Sequence, residues 1–159
     1  MFIFSLSPKK LFRKPIIISI IIFVVLIAIV IIFLTQKNSD MVNYEGGSYN
    51  VRAESVSEMT EFLKQFGWEV SSQPIDVSDI IIPSEFNDIY EQYNDIQKEQ
   101  GLDLSNYKGT KCKKYSFKIL NYPDNDNVNA TLIVLNEKVI GGDISETVMD
   151  GFMKSFIGV

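Results

Sequence analysis

The stretch from Ile16 to Leu34, IIISIIIFVVLIAIVIIFL, carries no charge, and only Ser19 and Ala28 interrupt its run of Ile, Val, Leu and Phe. As a helix rising about 1.5 Å per residue it is roughly 28 Å long, close to the hydrocarbon thickness of a bilayer. β-Branched residues are mediocre helix formers in water, but a lone strand in lipid leaves every backbone group unpaired, so a helix is the expected form. Lys9, Lys10, Arg13 and Lys14 precede the run and only Lys37 follows it closely. That asymmetry predicts a single-pass cell-membrane protein with its N-terminus in the cytoplasm and the rest of the chain outside. A cleaved signal peptide has a shorter apolar core and a small-x-small site, and LTQKNSD offers none. The expected organisation is a basic cytoplasmic N-terminus over 1–14, a transmembrane signal anchor over 15–35, a polar stalk over 36–50 and an extracytoplasmic domain over 51–159.

All 20 acidic residues and 11 of the 15 basic ones follow the apolar run, giving that part of the chain a net charge near −9. Nucleic acid is therefore not an expected partner, because phosphate binding needs a concentrated basic face and the cluster Lys111, Lys113, Lys114 sits in an acidic domain. The single cysteine, Cys112, permits no internal disulfide and lies too far from the apolar run to serve as a lipoprotein cysteine, so stability must come from a packed core. Heavy use of Ile, Asn and Lys suggests an AT-rich genome, and a Gram-positive bacterium is the expected source.

Within the domain, SVSEMTEFLKQFGWEV predicts a helix over 55–66. Ser55 and Glu58 have the form of a capping box, Val56, Met59, Phe62, Leu63 and Phe66 share one face, and Gly67 ends the helix. Trp68 packs back on the domain. PIDVSDIIIP, bounded by Pro74 and Pro83, predicts a strand or an extended segment. SEFNDIYEQYNDIQKEQG predicts a second helix capped by Ser84 and stopped at Gly101, with Phe86, Ile89, Tyr90, Tyr93 and Ile96 as its apolar stripe. LDLSNYKGT reads as a linking turn. KCKKYSFKIL alternates, placing Tyr115, Phe117 and Ile119 on a packed face and Cys112, Lys114 and Ser116 on a wet one. VNATLIVL reads as a central strand, Asn136 and Glu137 as a tight hairpin, and KVIGGDI as the return strand. The order α, β, α, β, β, β describes an α+β domain with two helices packed on an antiparallel sheet.

Gly141, Gly142 and Asp143 are unusual where packing favours branched side chains. With a two-residue loop, Ile140 lies opposite Ile133, Gly141 opposite Leu132 and Gly142 opposite Thr131. Glycine there permits a bulge, or lets a helix or an aromatic ring such as Trp68 press on the sheet. Alternatively a bare backbone beside Asp143 lets a peptide or glycan approach. The candidate interaction residues are accordingly Gly141, Gly142, Asp143 and Trp68.

The absence of histidine excludes Ser-His-Asp and Cys-His catalysis and His-containing zinc sites. Cys112, flanked by lysines, has no base partner. Asp124 and Asp126 have the spacing that opens a calcium loop, but Asn129 and Leu135 stand where its glycine and closing glutamate belong. No catalytic, cofactor-binding or metal-binding residue is assigned, and no cofactor is expected.

The motifs FLKQFGWEV, IPSEFNDIYEQYNDIQKEQGLDLSNYKG, YSFKILNYP, NATLIVLNEKVIGGDI and GFMKSF together resemble the bacterial family described as domain of unknown function 4830 over about Ser55 to Phe156. The resemblance implies an anchored protein of Gram-positive bacteria and assigns no activity or site residue. The expected function is a cell-envelope binding or interaction module, held in the lipid bilayer through residues 16–34, with an envelope protein, a peptide or a glycan as partner. The alternatives are an accessory subunit of another membrane protein and an envelope hydrolase using two carboxylates.

Overall fold

The computed structural model describes the backbone of residues 13–38 and 40–158 and the side chains of residues 17–32 and 40–158. The chain divides into two compact units at Ser39/Asp40. The first contains helix α1, Arg13–Asn38. Its large apolar side chains over 17–32 are all exposed, from Ile27 at 43% to Phe23 at 64%. That stretch is about 24 Å long, and no helix among the described residues is long and apolar enough to cross a membrane. The rest of the expected span, Ile16, Phe33 and Leu34, lies outside the residues whose side chains are described.

The second unit is an α+β fold. It opens with a hairpin of β1, Met41–Tyr44, and β2, Gly47–Asn50. Residues 41–50 are therefore folded, although the sequence reads as polar stalk. Tyr49 is the reason: its ring is buried against Phe62 and Phe66, and its hydroxyl donates to the Gln100 carbonyl at 2.6 Å. Then follow α2, Val56–Lys64; β3, Asp76–Ile81; α3, Asp88–Glu99; a 3-10 turn, Leu104–Tyr107; β4, Lys111–Lys118; β5, Val128–Leu135; β6, Lys138–Glu146; and β7, Met153–Lys154. The sheet runs β3-β4-β5-β6-β7, with every neighbouring pair antiparallel. The strand β7 and the hairpin add to the predicted order.

Helix α2 forms as its sequence dictates. The Ser55 hydroxyl accepts from the Glu58 N–H at 3.3 Å, and the Glu58 carboxylate reaches back to the Glu54 N–H at 2.8 Å. Gly67, at φ +86, ends the helix and lets the Trp68 N–H reach the Leu63 carbonyl at 3.3 Å. Met59, Phe62 and Leu63 pack on the face of the sheet that carries Phe117, Ile119, Ala130, Leu132 and Ile144. Each large side chain buried there contributes about 1.5–3 kcal/mol.

Successive strand residues point to opposite faces, and the other face is covered as well. Ile82, Leu104, Cys112, Ile133 and Ile140 form a second core, with Phe86, Tyr90 and Tyr93 packed against it. The two helices thus lie on opposite faces, and the β4 face carrying Cys112 is not wet: Cys112 is 6% exposed. Helix α3 begins later than expected, capped by Asn87, whose side chain accepts from the Tyr90 N–H at 2.9 Å, rather than by Ser84. Its expected stripe is also redrawn. Ile89 is 77% exposed, whereas Asn94, Gln97 and Gln100 are buried.

Candidate functional site

The hairpin between β5 and β6 turns at Asn136 and Glu137, both at positive φ (48° and 64°), as a two-residue loop of type I′ requires. Val139 then lies opposite Val134, but Ile133 faces Gly141, Leu132 faces Gly142 and Thr131 faces Asp143. The expected register is displaced by one residue because Ile140 is the extra residue of a β-bulge.

The bulge serves packing. A Cβ on Gly141 would stand 2.9 Å from Leu104 Cδ2 and 3.2 Å from Gln97 Oε1. One on Gly142, at φ +152, would stand 2.0 Å from the Thr131 carbonyl oxygen and 2.6 Å from Phe156 Cζ. Phe156, not Trp68, supplies the ring pressed against the glycine. The Gly142 N–H donates to Gln97 Oε1 at 2.7 Å, and its carbonyl accepts from Gln100 Nε2 at 3.0 Å. Gln100 Nε2 also donates to Gln97 Oε1 at 2.8 Å, while Gln100 Oε1 accepts from the Phe156 N–H at 2.9 Å. Two buried glutamines of the α3 end therefore take the place of a missing strand partner at the bulge.

Asp143, on the α3 face, is 3% exposed. Its Oδ1 accepts from the Tyr93 hydroxyl at 3.0 Å, and Oδ2 has no hydrogen-bond partner among the described residues. Burial holds its carboxyl above the usual carboxylate range, against the opposing pull of the Ser145 and Tyr93 hydroxyls and the Lys114 ammonium. Burial, then the Asp143 charge, raises the Tyr93 phenol in turn. Trp68 is 1% exposed; its Nε1–H donates to the Phe156 carbonyl at 2.8 Å, and Lys154 Nζ lies 5.2 Å from its ring. Of the four candidate residues the structure brings Gly142 near the segment that holds Trp68, through Phe156, and leaves all four buried.

The accessible chemistry lies at the sheet edges, which differ. The outer side of β6 is occupied along its length. The Val139 N–H donates to the Val51 carbonyl at 2.8 Å and the Ala53 N–H to the Glu137 carbonyl at 2.7 Å. Gln97 and Gln100 hold Gly142, and β7 pairs with Ile144 and Ser145. At the other edge β3 pairs with β4 on one side and, among the described residues, with no strand on the other. The Ile82 N–H donates to the Thr110 carbonyl at 3.0 Å, which sets the phase of the ladder. Alternation then directs the backbone groups of Ser78 and Ile80 to β4 and those of Val77, Asp79 and Ile81 outward.

The side chains of this edge are exposed too, Val77 by 49% and Ile81 by 59%. Asp79 makes a surface ion pair with Lys113 at 3.4 Å, and Asp76 one with Lys114 at 3.4 Å. Beside β3 a cleft of about 660 Å³ is lined by the buried Ala53, Met59 and Val134, by the half-buried Tyr115, and by the exposed Glu54, Asp79, Ile81, Lys111, Lys113 and Glu137. The thiol of Cys112 lies in the second core on the opposite face, and burial raises it above the ordinary value. No group of His, Cys, Asp and Glu among the described residues could hold a metal ion.

Sequence reasoning missed this edge because the place of β3 at the end of the strand order is set by pairing with the distant β4. The two aspartates among the apolar residues of β3 were the available signal, since charge is a common guard on an open edge.

No curated protein and no solved structure matches the chain significantly. The family described as Domain of unknown function (DUF4830) matches residues 62–144, from within α2 to within β6. The match spans β3, α3 and the bulge, and the chain belongs to that family.

Proposed function

We propose that this protein is a membrane-tethered interaction module whose domain adds an extended strand of a partner polypeptide to the free edge of β3. In this reading residues 16–34 span the bilayer, the basic residues before them stay in the cytoplasm, and the domain lies on the outer side in the cell envelope. The uncharged run and its one-sided flanking cations support the tether.

The observation that carries the binding function is the unequal treatment of the two sheet edges. Four separate devices occupy the outer side of β6, yet β3 presents the backbone groups of Val77, Asp79 and Ile81, two exposed apolar side chains and an adjoining cleft. Backbone groups of this kind pair with an incoming strand, and alternate side chains of that strand fall on one face, here toward the cleft.

Fluorescence polarisation of short labelled Val/Thr-rich peptides against the full chain in detergent micelles tests the edge. Asp79→Pro removes an outward N–H and no bond to β4, so it abolishes binding while Trp68 fluorescence still reports a folded domain. Binding that survives Asp79→Pro, or that never occurs, overturns the reading. Labelling of Asn106→Cys by a membrane-impermeant maleimide in intact cells, in a Cys112→Ser background, tests the orientation; labelling only after lysis contradicts it.

A further inference from the structure

We propose that the strand taken up at β3 carries a basic residue between two apolar ones, in the order apolar, any, basic, any, apolar, so that its cation lies opposite Asp79. This deepens the strand-addition reading and rests on it. In an antiparallel addition the outward residues Val77, Asp79 and Ile81 form the hydrogen-bonded pairs with residues directly opposite, and their side chains lie on one face. Val77 and Ile81 are 49% and 59% exposed and suit apolar partners.

Asp79 lies between them with its side chain 83% exposed. Its own counter-ion, Lys113, is 58% exposed at 3.4 Å, and an ion pair so open to solvent holds its partner weakly. A second cation therefore finds Asp79 available, and the net charge of the chain beyond the apolar run, near −9, attracts a basic segment at longer range.

The same residue disfavours a second copy of the chain. The register that matches Val77 with Ile81 of a copy sets Asp79 against its own counterpart, and like charges directly opposite destabilise a strand pair. The edge is thus guarded against itself and complementary to a basic partner.

The test uses the full chain in micelles and two labelled peptides, TVTKTVT and TVTETVT, followed by fluorescence polarisation. The lysine peptide binds about tenfold more tightly at low salt, the difference shrinks as salt is raised, and Asp79→Lys reverses the preference. Asp79→Asn, a smaller change, removes the preference without reversing it, and Trp68 fluorescence verifies folding of both variants. Equal binding of the two peptides, lost in Asp79→Pro, overturns the charge assignment and leaves strand addition standing. Binding of neither overturns both. Self-association with rising protein concentration, abolished by Asp79→Pro, identifies a second copy as the occupant and overturns the basic-partner assignment.

Discussion

Replacing Gln100 with leucine tests the role assigned to the buried amides. The side chain is fully buried and makes three hydrogen bonds, to the Gly142 carbonyl, to Gln97 Oε1 and from the Phe156 N–H. Leucine has a similar volume, so packing changes little, but the Gly142 carbonyl and the Phe156 N–H lose these partners. Leaving a buried polar group unpaired costs about 1–3 kcal/mol, and two such groups cost roughly 2–6 kcal/mol. A domain of this size has on the order of 5–15 kcal/mol in total, so the loss is a large share. Trp68 is the only tryptophan and is buried in this unit, so its fluorescence follows urea unfolding of the domain in the full chain independently of α1. At a slope of about 2 kcal/mol per molar urea, the midpoint falls by about 1–3 M. Gln100→Glu separates hydrogen bonding from volume. It keeps an acceptor for Phe156 but sets a carboxylate oxygen against the Gly142 carbonyl, so its deficit shrinks in acid as the carboxyl gains a donor. A Gln100→Leu midpoint within about 0.3 M of the native one would refute the reasoning.

Gly142→Ala forces a Cβ to 2.0 Å from the Thr131 backbone, which cannot yield cheaply, so this variant loses the cooperative urea transition, whereas Gly141→Ala meets mainly Leu104 and lowers the midpoint without abolishing it. Asp143 has a folded-state carboxyl above its unfolded value, so the folded protein holds the extra proton. Its contribution is present below the unfolded pKa and is lost as pH rises through the folded one, and Asp143→Asn flattens that acidic slope in urea midpoints measured against pH. Cys112 is buried with its thiol raised, so it reacts with a thiol reagent only at the rate at which the domain opens, and its modification rises with urea along the Trp68 transition.

What could be read from the sequence was local. Ser55, Glu58 and Gly67 lie within a dozen residues of one another, and Asn136 and Glu137 adopt a backbone that two-residue hairpin loops favour. What could not be read depends on distant partners. The bulge at Ile140 is held by Gln97 and Gln100, 45 and 42 residues from Gly142, so no window around the glycines reveals the register. Those glutamines were legible in part: Tyr90, Tyr93, Asn94 and Gln97 fall on one helical stripe, and the uncharged amides stand apart from the acids of the opposite face. Reading only the apolar residues drew the stripe through Ile89, which lies at the surface. The exposure of Val77 and Ile81 followed from the place of β3 at the end of the strand order, which composition does not encode.

Amide hydrogen exchange on β3, followed by NMR with and without the lysine-containing strand peptide, tests the central claim most directly. In the free protein the amides of Ser78 and Ile80 exchange slowly, and those of Val77, Asp79 and Ile81 exchange fast. Adding the peptide slows those three outward amides and leaves Ser78 and Ile80 as they were. Protection that appears elsewhere on the domain, or binding that leaves Val77, Asp79 and Ile81 fast, would contradict strand addition at this edge.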